Sequence, residues 1–303
     1  MRILITGAGG FIGGALARRF ASRADVELTA LGRADLDLGD RDAIVAGLGR
    51  SRPDVVIHAA GRTHGDPDAL FADNAQATAN LAEAIGMAAP GAGLILLGSA
   101  AQYGVSKDQV PWRENDPCAP FEPYGLSKHA AETNALAATR QYEFRATALR
   151  LFNIVTPEPQ GEQVFAAFLR RAASAAAAGP PPWRVRMGPL AAVRDFIDLE
   201  DVLSAVERVI ERGTWGEVIN VCSGEGRTAR TLLSAVSAQT GGAVVVDEAA
   251  AVAPPLMPWS VGDPTRCQAL LGLRPAIDIA GLARRAAAWL ATAKEAVDAR
   301  SHA

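Results

Sequence analysis

A tyrosine and a lysine four residues apart, Tyr124 and Lys128, are the side chains best placed for chemistry in this 303-residue chain. Residues spaced i and i+4 share one face of a helix, roughly 5–6 Å apart at Cβ. A lysine cation near a phenol favours the phenolate and lowers the phenol's pKa from about 10. Such a phenol can exchange a proton with an alcohol or ketone oxygen near neutral pH. Taken alone, the spacing also fits a packed tyrosine beside a solvated lysine.

A glycine turn close to the N-terminus supplies the second signal. Gly7, Gly10 and Gly13 follow the apolar run 3–5 and open an amphipathic segment. This pattern predicts a strand, a tight turn and the start of a helix. Glycines allow the backbone to approach a pyrophosphate, and a helix N-terminus offers unpaired N–H groups and a partial positive charge. An ordinary tight turn between a strand and a helix is the alternative interpretation.

Strand and helix patterns alternate through the first half of the chain. Strands are predicted over 3–5, 25–31, 54–58, 93–97 and 145–151, and helices over 41–50, 68–87 and 124–142. Continuous apolar strands that alternate with helices predict a parallel sheet covered on both faces. This arrangement is a doubly wound α/β fold of the dinucleotide-binding (Rossmann) type. We therefore assign residues 1–152 to a Rossmann domain.

The second half of the chain has a different pattern. Strands are predicted over 185–187 and 218–222, helices over 199–212, 228–240 and 279–293, and an irregular segment over 253–258, which holds three prolines. We assign residues 153–303 mainly to a smaller C-terminal lobe that binds substrate, with a later strand or helix returning to the sheet.

The composition gives no sign of a nucleic-acid or membrane partner. Apolar residues make up 49% of the chain, charged residues 21%, and the net charge is −3. Nothing in this balance indicates a nucleic-acid or membrane partner, and no apolar run approaches the roughly 20 residues of a membrane span. Cys118, Cys222 and Cys267 are widely spaced without a metal-ligand pattern, which predicts no metal site and fits a reducing cytoplasm. A first strand at residue 2 leaves no room for a signal peptide.

Eight motifs occur along nearly the whole chain, at Thr6–Gly13, His58–Ala60, Gly98–Gly104, Pro123–Lys128, Leu149–Asn153, Arg194–Asp198, Asn220–Gly224 and Val261–Pro264. Their types and order resemble the extended short-chain dehydrogenase/reductase family, in its branch of nucleotide-sugar epimerases, dehydratases and 4-ketoreductases. The sixth and seventh motifs look most like those of GDP-4-keto-6-deoxymannose reductases. The N-terminal third, with residues 34–38, is also similar to dTDP-4-dehydrorhamnose reductases.

The resemblance implies a part for each matching residue. Tyr124 would be the acid/base, Lys128 would bind the nicotinamide ribose and tune Tyr124, and Ser99 would hydrogen-bond the substrate oxygen. The implied cofactor-binding residues are Gly7, Gly10, Phe11, Ile12, Gly13, Asp37, Leu38, Ala59, Ala60, Tyr124 and Lys128. The implied substrate-binding residues are Ser99, Ala100, Tyr124, Asn153 and Arg194.

Three of these assignments have plain structural alternatives. Ser99 could be a cap at the end of a strand, and Asp37 could equally be a turn residue. Arg194 could clamp the phosphates of a substrate nucleotide, because an arginine can bind phosphate through two parallel hydrogen bonds. It could instead pair with Asp198 or Glu200 at the surface.

Two departures from the family pattern refine the prediction. Dehydratases of this family follow the active-site Ser or Thr with Asp-Glu, whereas this chain has Ala100 and Ala101. Dehydration therefore has no obvious acid and base. The end of the second strand carries Arg33 where an acid would hold the ribose 2′-OH of NAD. This favours NADP, although Asp35 is close enough to keep NAD open and Arg33 could be a solvated turn residue.

These observations predict a cytoplasmic, NADP-preferring reductase of the C4 ketone of a nucleotide-activated 4-keto-6-deoxyhexose. A 4-epimerase with tightly bound NAD uses the same Ser-Tyr-Lys set and is the first alternative. A non-catalytic nucleotide-binding sensor of the same fold is the second. The resemblance also implies a homodimer formed through the helices at 68–87 and 124–142.

Overall fold

The computed structural model describes residues 1–106, 108–161, 163–251 and 255–301, with side chains through residue 293 in the last helix. The strands are β1 (Arg2–Thr6), β2 (Glu27–Leu31), β3 (Val55–His58), β4 (Gly93–Ser99), β5 (Arg145–Leu151), β6 (Asn153–Val155), β7 (Trp183–Met187), β8 (Val193–Asp198), β9 (Val218–Val221), β10 (Gly226–Thr228), β11 (Val244–Glu248) and β12 (Trp259–Ser260). Residues 253 and 254 of the proline segment lie outside the described residues, and 255–258 form no regular element.

The helices include two short segments of unusual geometry. The α-helices are α1 (Phe11–Ala21), α2 (Arg41–Ser51), α3 (Pro67–Leu70), α4 (Ala77–Ala88), α5 (Pro123–Tyr142), α6 (Val164–Ala178), α7 (Leu199–Arg212), α8 (Ala229–Gln239), α9 (Thr265–Leu271) and α10 (Ile279–Ser301). A π-helical segment, Phe71–Gln76, joins α3 to α4, and a turn of 3₁₀-helix, Ala100–Gln102, follows β4. Among the described residues, no helix is long and apolar enough to cross a bilayer.

Six parallel strands form the central sheet, in the order β2-β1-β3-β4-β5-β9. The predicted doubly wound Rossmann sheet is confirmed. The chain runs outward in both directions from β1, so the crevice for a ligand is expected at the carboxyl ends of β1 and β3. The sixth strand, β9, comes from beyond residue 152 and pairs with β5.

Helices cover both faces of this sheet because its strands are apolar on both sides. One buried cluster joins the sheet to α1, α7 and α9, and a second joins it to α2, α4 and α5. A third cluster joins α6, α8 and α10 to the small sheet of β7 and β11. A further small sheet, built on β8, holds the third and first clusters together.

A buried carboxylate holds the β8 sheet in place. Asp195 is fully buried and accepts hydrogen bonds from the Ser223 N–H and hydroxyl, the Gly224 N–H and the Gly262 N–H. Burial raises the pKa of Asp195, and these four donors oppose that rise. The carboxylate thus ties β8 to the loops that follow β9 and β12.

A second buried group fixes α5 against the sheet. Glu132 on α5 and Arg150 on β5 form a bidentate ion pair with N···O distances of 2.6 and 3.1 Å, and their side chains are 4% and 7% exposed. Gln102 donates to Glu132, and Arg150 donates to the Tyr103 hydroxyl, which in turn donates to Asn220 on β9. One network therefore connects α5, β5, β9 and the turn after β4.

Glu132→Gln should lower the free energy of unfolding by about 3 kcal/mol or more, because it leaves the Arg150 charge buried without its partner. Glu83→Gln is the matched control, since Glu83 pairs with Arg41 at the surface and such pairs contribute about 0–1 kcal/mol. Urea denaturation followed by circular dichroism measures both. Equal losses in the two variants would contradict a structural part for the buried pair.

Candidate active site

The sequence-predicted catalytic residues meet at the carboxyl edge of the sheet. Ser99 is the last residue of β4, and Tyr124 and Lys128 lie on the first two turns of α5. Pro123 at the first helical position fits the start of a helix, because proline lacks the N–H that would remain unpaired there. Tyr124 is half-buried and Lys128 is buried, so neither is the solvated surface residue of the alternative interpretation.

The pKa of Tyr124 moves in the direction opposite to the sequence-based expectation. Burial raises it, and a hydrogen bond with Ser99 opposes the rise without reversing it. The expectation that Lys128 lowers this pKa is therefore not met in the protein alone. Removal from water destabilises the phenolate more than the hydrogen bond with Ser99 stabilises it. The phenol accordingly remains protonated at neutral pH.

Lys128 makes its hydrogen bond to the backbone instead. Its ammonium donates to the Leu97 carbonyl at 2.6 Å, and burial lowers its pKa to about 8 although Glu132 opposes this. A Cβ built on Gly61 would lie 3.9 Å from the Lys128 Nζ atom, which places the amine beside the loop after β3. Lys128 thus reaches the crevice between β3 and β4.

Asn74 supports this site and was not singled out from the sequence. Its amide donates to the Ser127 hydroxyl at 2.9 Å and to the Arg62 carbonyl at 2.8 Å, and it accepts from the Arg62 N–H at 2.7 Å. Ser127 donates to the Tyr124 carbonyl. Asn74 lies in the π-helical segment, a geometry found often at functional sites. It therefore links the loop after β3 to the first turn of α5.

A neutral histidine lies at the end of β3. The Thr78 hydroxyl donates to the Asn74 carbonyl, so His58 Nε2 donates to Thr78 and Nδ1 accepts from Thr6. Burial, helped by the charge of Lys128, lowers the pKa of His58 to about 3. His58 therefore positions the strand end without adding charge to the crevice.

The glycine turn fits the pyrophosphate of a dinucleotide. Gly7 has a φ of +74°, and a Cβ there would lie 2.5 Å from the Ala60 backbone. A Cβ on Gly13 would lie 2.1 Å from the Gly7 carbonyl oxygen, whereas one on Gly9 would meet no protein atom within 4 Å. The turn is closed toward the protein and open in front of the N-terminus of α1, where an anion binds favourably.

The remaining cofactor candidates line the same edge. Phe11 and Ile12 begin α1 and pack partly into the core, and Gly10 is the exposed residue before them. Ala59 and its neighbour Ala60 follow β3, and the Ala59 N–H donates to the Thr6 carbonyl. These positions surround the crevice that the strand order predicts.

The loop after β2 carries three further candidates. Asp37 accepts from the Gly39 N–H at 2.8 Å, so its carboxylate closes a turn, and the Leu38 carbonyl accepts from Asn80. Asp35 accepts from the Gly32 N–H at 2.8 Å. Arg33 extends into solvent with its side chain 75% exposed and pairs with Asp73 at 2.6 Å. The structure therefore gives Arg33 an acidic partner that the sequence did not indicate.

The substrate candidates lie on β8 and its neighbours. The Asn153 amide donates to the Asp195 carbonyl, and Ala100 is buried in the turn after Ser99. Arg194 is half-buried, and burial lowers its pKa while the Glu122 charge opposes this. Glu122 directly precedes α5, and the Arg194 Nη1 atom donates to the Val193 carbonyl at 2.8 Å.

The surface ion pairs expected as an alternative for Arg194 do not form. Asp198 pairs with Arg285, and Glu200 pairs with Arg19. Arg227 on β10 is instead the cross-strand neighbour of Arg194 on β8. Arg227 also pairs with Glu225, and Arg194 donates to the Val193 carbonyl, so an anion that binds there would exchange with these partners. The sequence offered no signal for Arg227 beyond its charge.

Among the described residues, no group of three or more His, Cys, Asp or Glu side chains is arranged to hold a metal ion. The three cysteines are unpaired thiols, with Cys222 and Cys267 buried and Cys118 half-buried.

Comparison with known proteins gives the same family as the motifs. The NAD-dependent epimerase/dehydratase family matches residues 3–222. The chain is 30% identical over 289 residues to dTDP-6-deoxy-L-talose 4-dehydrogenase (NAD(P)(+)) of Kitasatospora kifunensis. The aligned residues cover 90% of this chain and 91% of that protein. It is 31% identical over 238 residues to GDP-6-deoxy-D-mannose reductase of Pseudomonas aeruginosa, and the aligned residues cover 77% of this chain and 78% of that protein. The solved structure of RMD from Pseudomonas aeruginosa with NADPH is similar at a TM-score of 0.81 and 28% identity, covering 96% of this chain and 99% of that one.

Proposed function

Because this chain belongs to the NAD-dependent epimerase/dehydratase family, we propose that it reduces the C4 ketone of a nucleotide-activated 4-keto-6-deoxyhexose and prefers NADPH to NADH. Members of this family are NAD(P)-dependent enzymes that act on nucleotide sugars. One relative described above is a 4-dehydrogenase of a 6-deoxy sugar nucleotide, another is a 6-deoxy-sugar reductase, and the similar solved structure contains NADPH, which supports the finer proposal.

The observation that carries the proposal is the position of Ser99, Tyr124 and Lys128 together at the carboxyl edge of the sheet, where burial raises the pKa of the Tyr124 phenol. Reduction of a ketone leaves an oxygen that needs a proton, and a phenol with a raised pKa still holds one at neutral pH. The Ser99 hydroxyl orients the ketone oxygen, and Tyr124 donates the proton to it. Reduced nicotinamide supplies the hydride when it is bound.

Other residues position the two reactants. Lys128 would hold the ribose beside the loop after β3, and the turn that begins at Gly7 would hold the pyrophosphate. Arg194 and Arg227 clamp the phosphates of the nucleotide sugar, because paired guanidinium groups bind phosphate oxygens through parallel hydrogen bonds. The sugar then lies between the clamp on β8 and the hydroxyl of Tyr124.

Tyr124→Phe should lower the rate of ketone reduction by about 10²–10⁴, because it removes the proton donor and only one hydroxyl. Its affinity for NADPH should stay unchanged. Tyr142→Phe is the matched control, since Tyr142 lies at the far end of the same helix. Stopped-flow absorbance of NADPH with a 4-keto-6-deoxy sugar nucleotide measures the rate. A folded Tyr124→Phe protein as fast as the control would contradict the assignment.

The substrate class is tested by the products formed. Ala100 and Ala101 replace the acid and base that elimination requires, so a nucleotide hexose with intact 4-OH and 6-OH groups should lose no water. A 4-keto-6-deoxy sugar nucleotide should instead oxidise one NADPH for each ketone consumed, as read by absorbance and mass spectrometry. Water loss would refute the exclusion of dehydration. Interconversion of 4-hydroxy epimers without net use of cofactor would identify an epimerase.

A further inference from the structure

We infer that Asp73 sets the preference between NADP and NAD by holding Arg33, the residue that follows β2 and would meet the 2′-phosphate. This inference rests on the proposed use of a nicotinamide dinucleotide in the crevice. Asp73 lies on the π-helical segment, outside the strands that would bind the cofactor.

Asp73, Arg33 and a second arginine, Arg62, line one cavity. Its volume is about 300 Å³, and its lining residues are Arg33, Gly61, Arg62, Thr63, His64 and Asp73. Arg33 follows β2 and Arg62 follows β3, so the cavity extends along the edge at which β1 carries the glycine turn. The adenosine end of a dinucleotide approaches this part of a Rossmann sheet.

Both arginines donate to the same oxygen of Asp73. The Arg33 Nη2 atom lies 2.6 Å from Oδ2, and the Arg62 Nε atom lies 2.7 Å from it. Burial would raise the pKa of Asp73, but the bonds from Arg62 and Arg33 outweigh it, so the pKa falls and the carboxylate stays charged. The cavity therefore contains one anion between two cations.

The two arginine side chains differ in how far they can move. The Arg62 backbone is fixed by two hydrogen bonds with Asn74, and its side chain is 38% exposed. Arg33 lies in a loop with its side chain 75% exposed, so its pair with Asp73 is weak and easily exchanged. Arg33 can turn toward a phosphate while Arg62 continues to neutralise Asp73.

This exchange has opposite consequences for the two cofactors. A 2′-phosphate must compete with Asp73 for the Arg33 donors. A cofactor with a 2′-hydroxyl leaves the Arg33–Asp73 pair intact and meets no such competition. Asp73 therefore weakens NADP binding selectively and lets NAD remain a usable cofactor.

Asp73→Asn tests this, because the amide oxygen can still accept from Arg62 while the charge is lost. We expect NADP⁺ to bind at least about threefold more tightly, since an exposed ion pair changes an equilibrium constant by up to roughly fivefold. The affinity for NAD⁺ should stay within experimental error. Isothermal titration calorimetry of purified protein with each cofactor gives both dissociation constants without turnover. Asp68→Asn, the same change outside the cavity, controls for net charge.

A second pair of variants tests the dependence on Arg33. Arg33→Ala should weaken NADP⁺ binding by about tenfold or more, as expected for a lost charged hydrogen bond, and should leave NAD⁺ unchanged. Adding Asp73→Asn to Arg33→Ala should then restore little. An equal gain with and without Arg33 would overturn the inference, and so would an unchanged NADP⁺ to NAD⁺ ratio in Asp73→Asn. Failure of the wild-type protein to bind either cofactor would instead refute the proposed function itself.

Discussion

The buried ion pair between Glu132 and Arg150 determines where helix α5 lies against the sheet. Glu132 is one turn beyond Lys128 on α5, and Arg150 lies on β5 beside the strand that ends in Ser99. A carboxylate and a guanidinium out of water tolerate little displacement, because each depends on the other for its charge to be compensated. The distance between the α5 side chains and Ser99 is therefore set by a contact made below the crevice. The reacting residues themselves remain available to ligands.

Burial also decides the protonation of the site. The pKa of Lys128 and the pKa of His58 are lowered and that of Tyr124 is raised, and in each case removal from water is the largest cause. The result is a neutral phenol and a neutral imidazole beside a lysine that is still mostly cationic at neutral pH. This set suits donation of a proton to a newly formed alkoxide. Lys128 and the arginines at the ends of the crevice carry its positive charge.

The sequence was sufficient for the parts of the molecule that have a strong local signal. Apolar runs alternating with amphipathic segments predicted the sheet, and α7 lies where its period placed it, at Leu199–Arg212. The strands β6, β8, β10, β11 and β12 were not predicted, and β6, β10 and β12 are too short, at two or three residues, to show a period. Asp73 and Asn74 were missed because polar residues on a helix also fit a solvated face. The pKa of Tyr124 was expected to fall because the spacing shows only the nearby Lys128. The burial that raises this pKa is a tertiary property, which the spacing does not reveal.

The central claim is that hydride reaches C4 of the sugar from a dissociable NADPH while Tyr124 supplies the proton. NADPH deuterated at its transferable C4 position, mixed with a 4-keto-6-deoxy sugar nucleotide and the wild-type protein, tests this directly. We expect one deuterium at C4 of each product molecule, located by NMR, and one NADP⁺ released per product. A product with hydrogen at C4 and no oxidation of the added NADPH would contradict it.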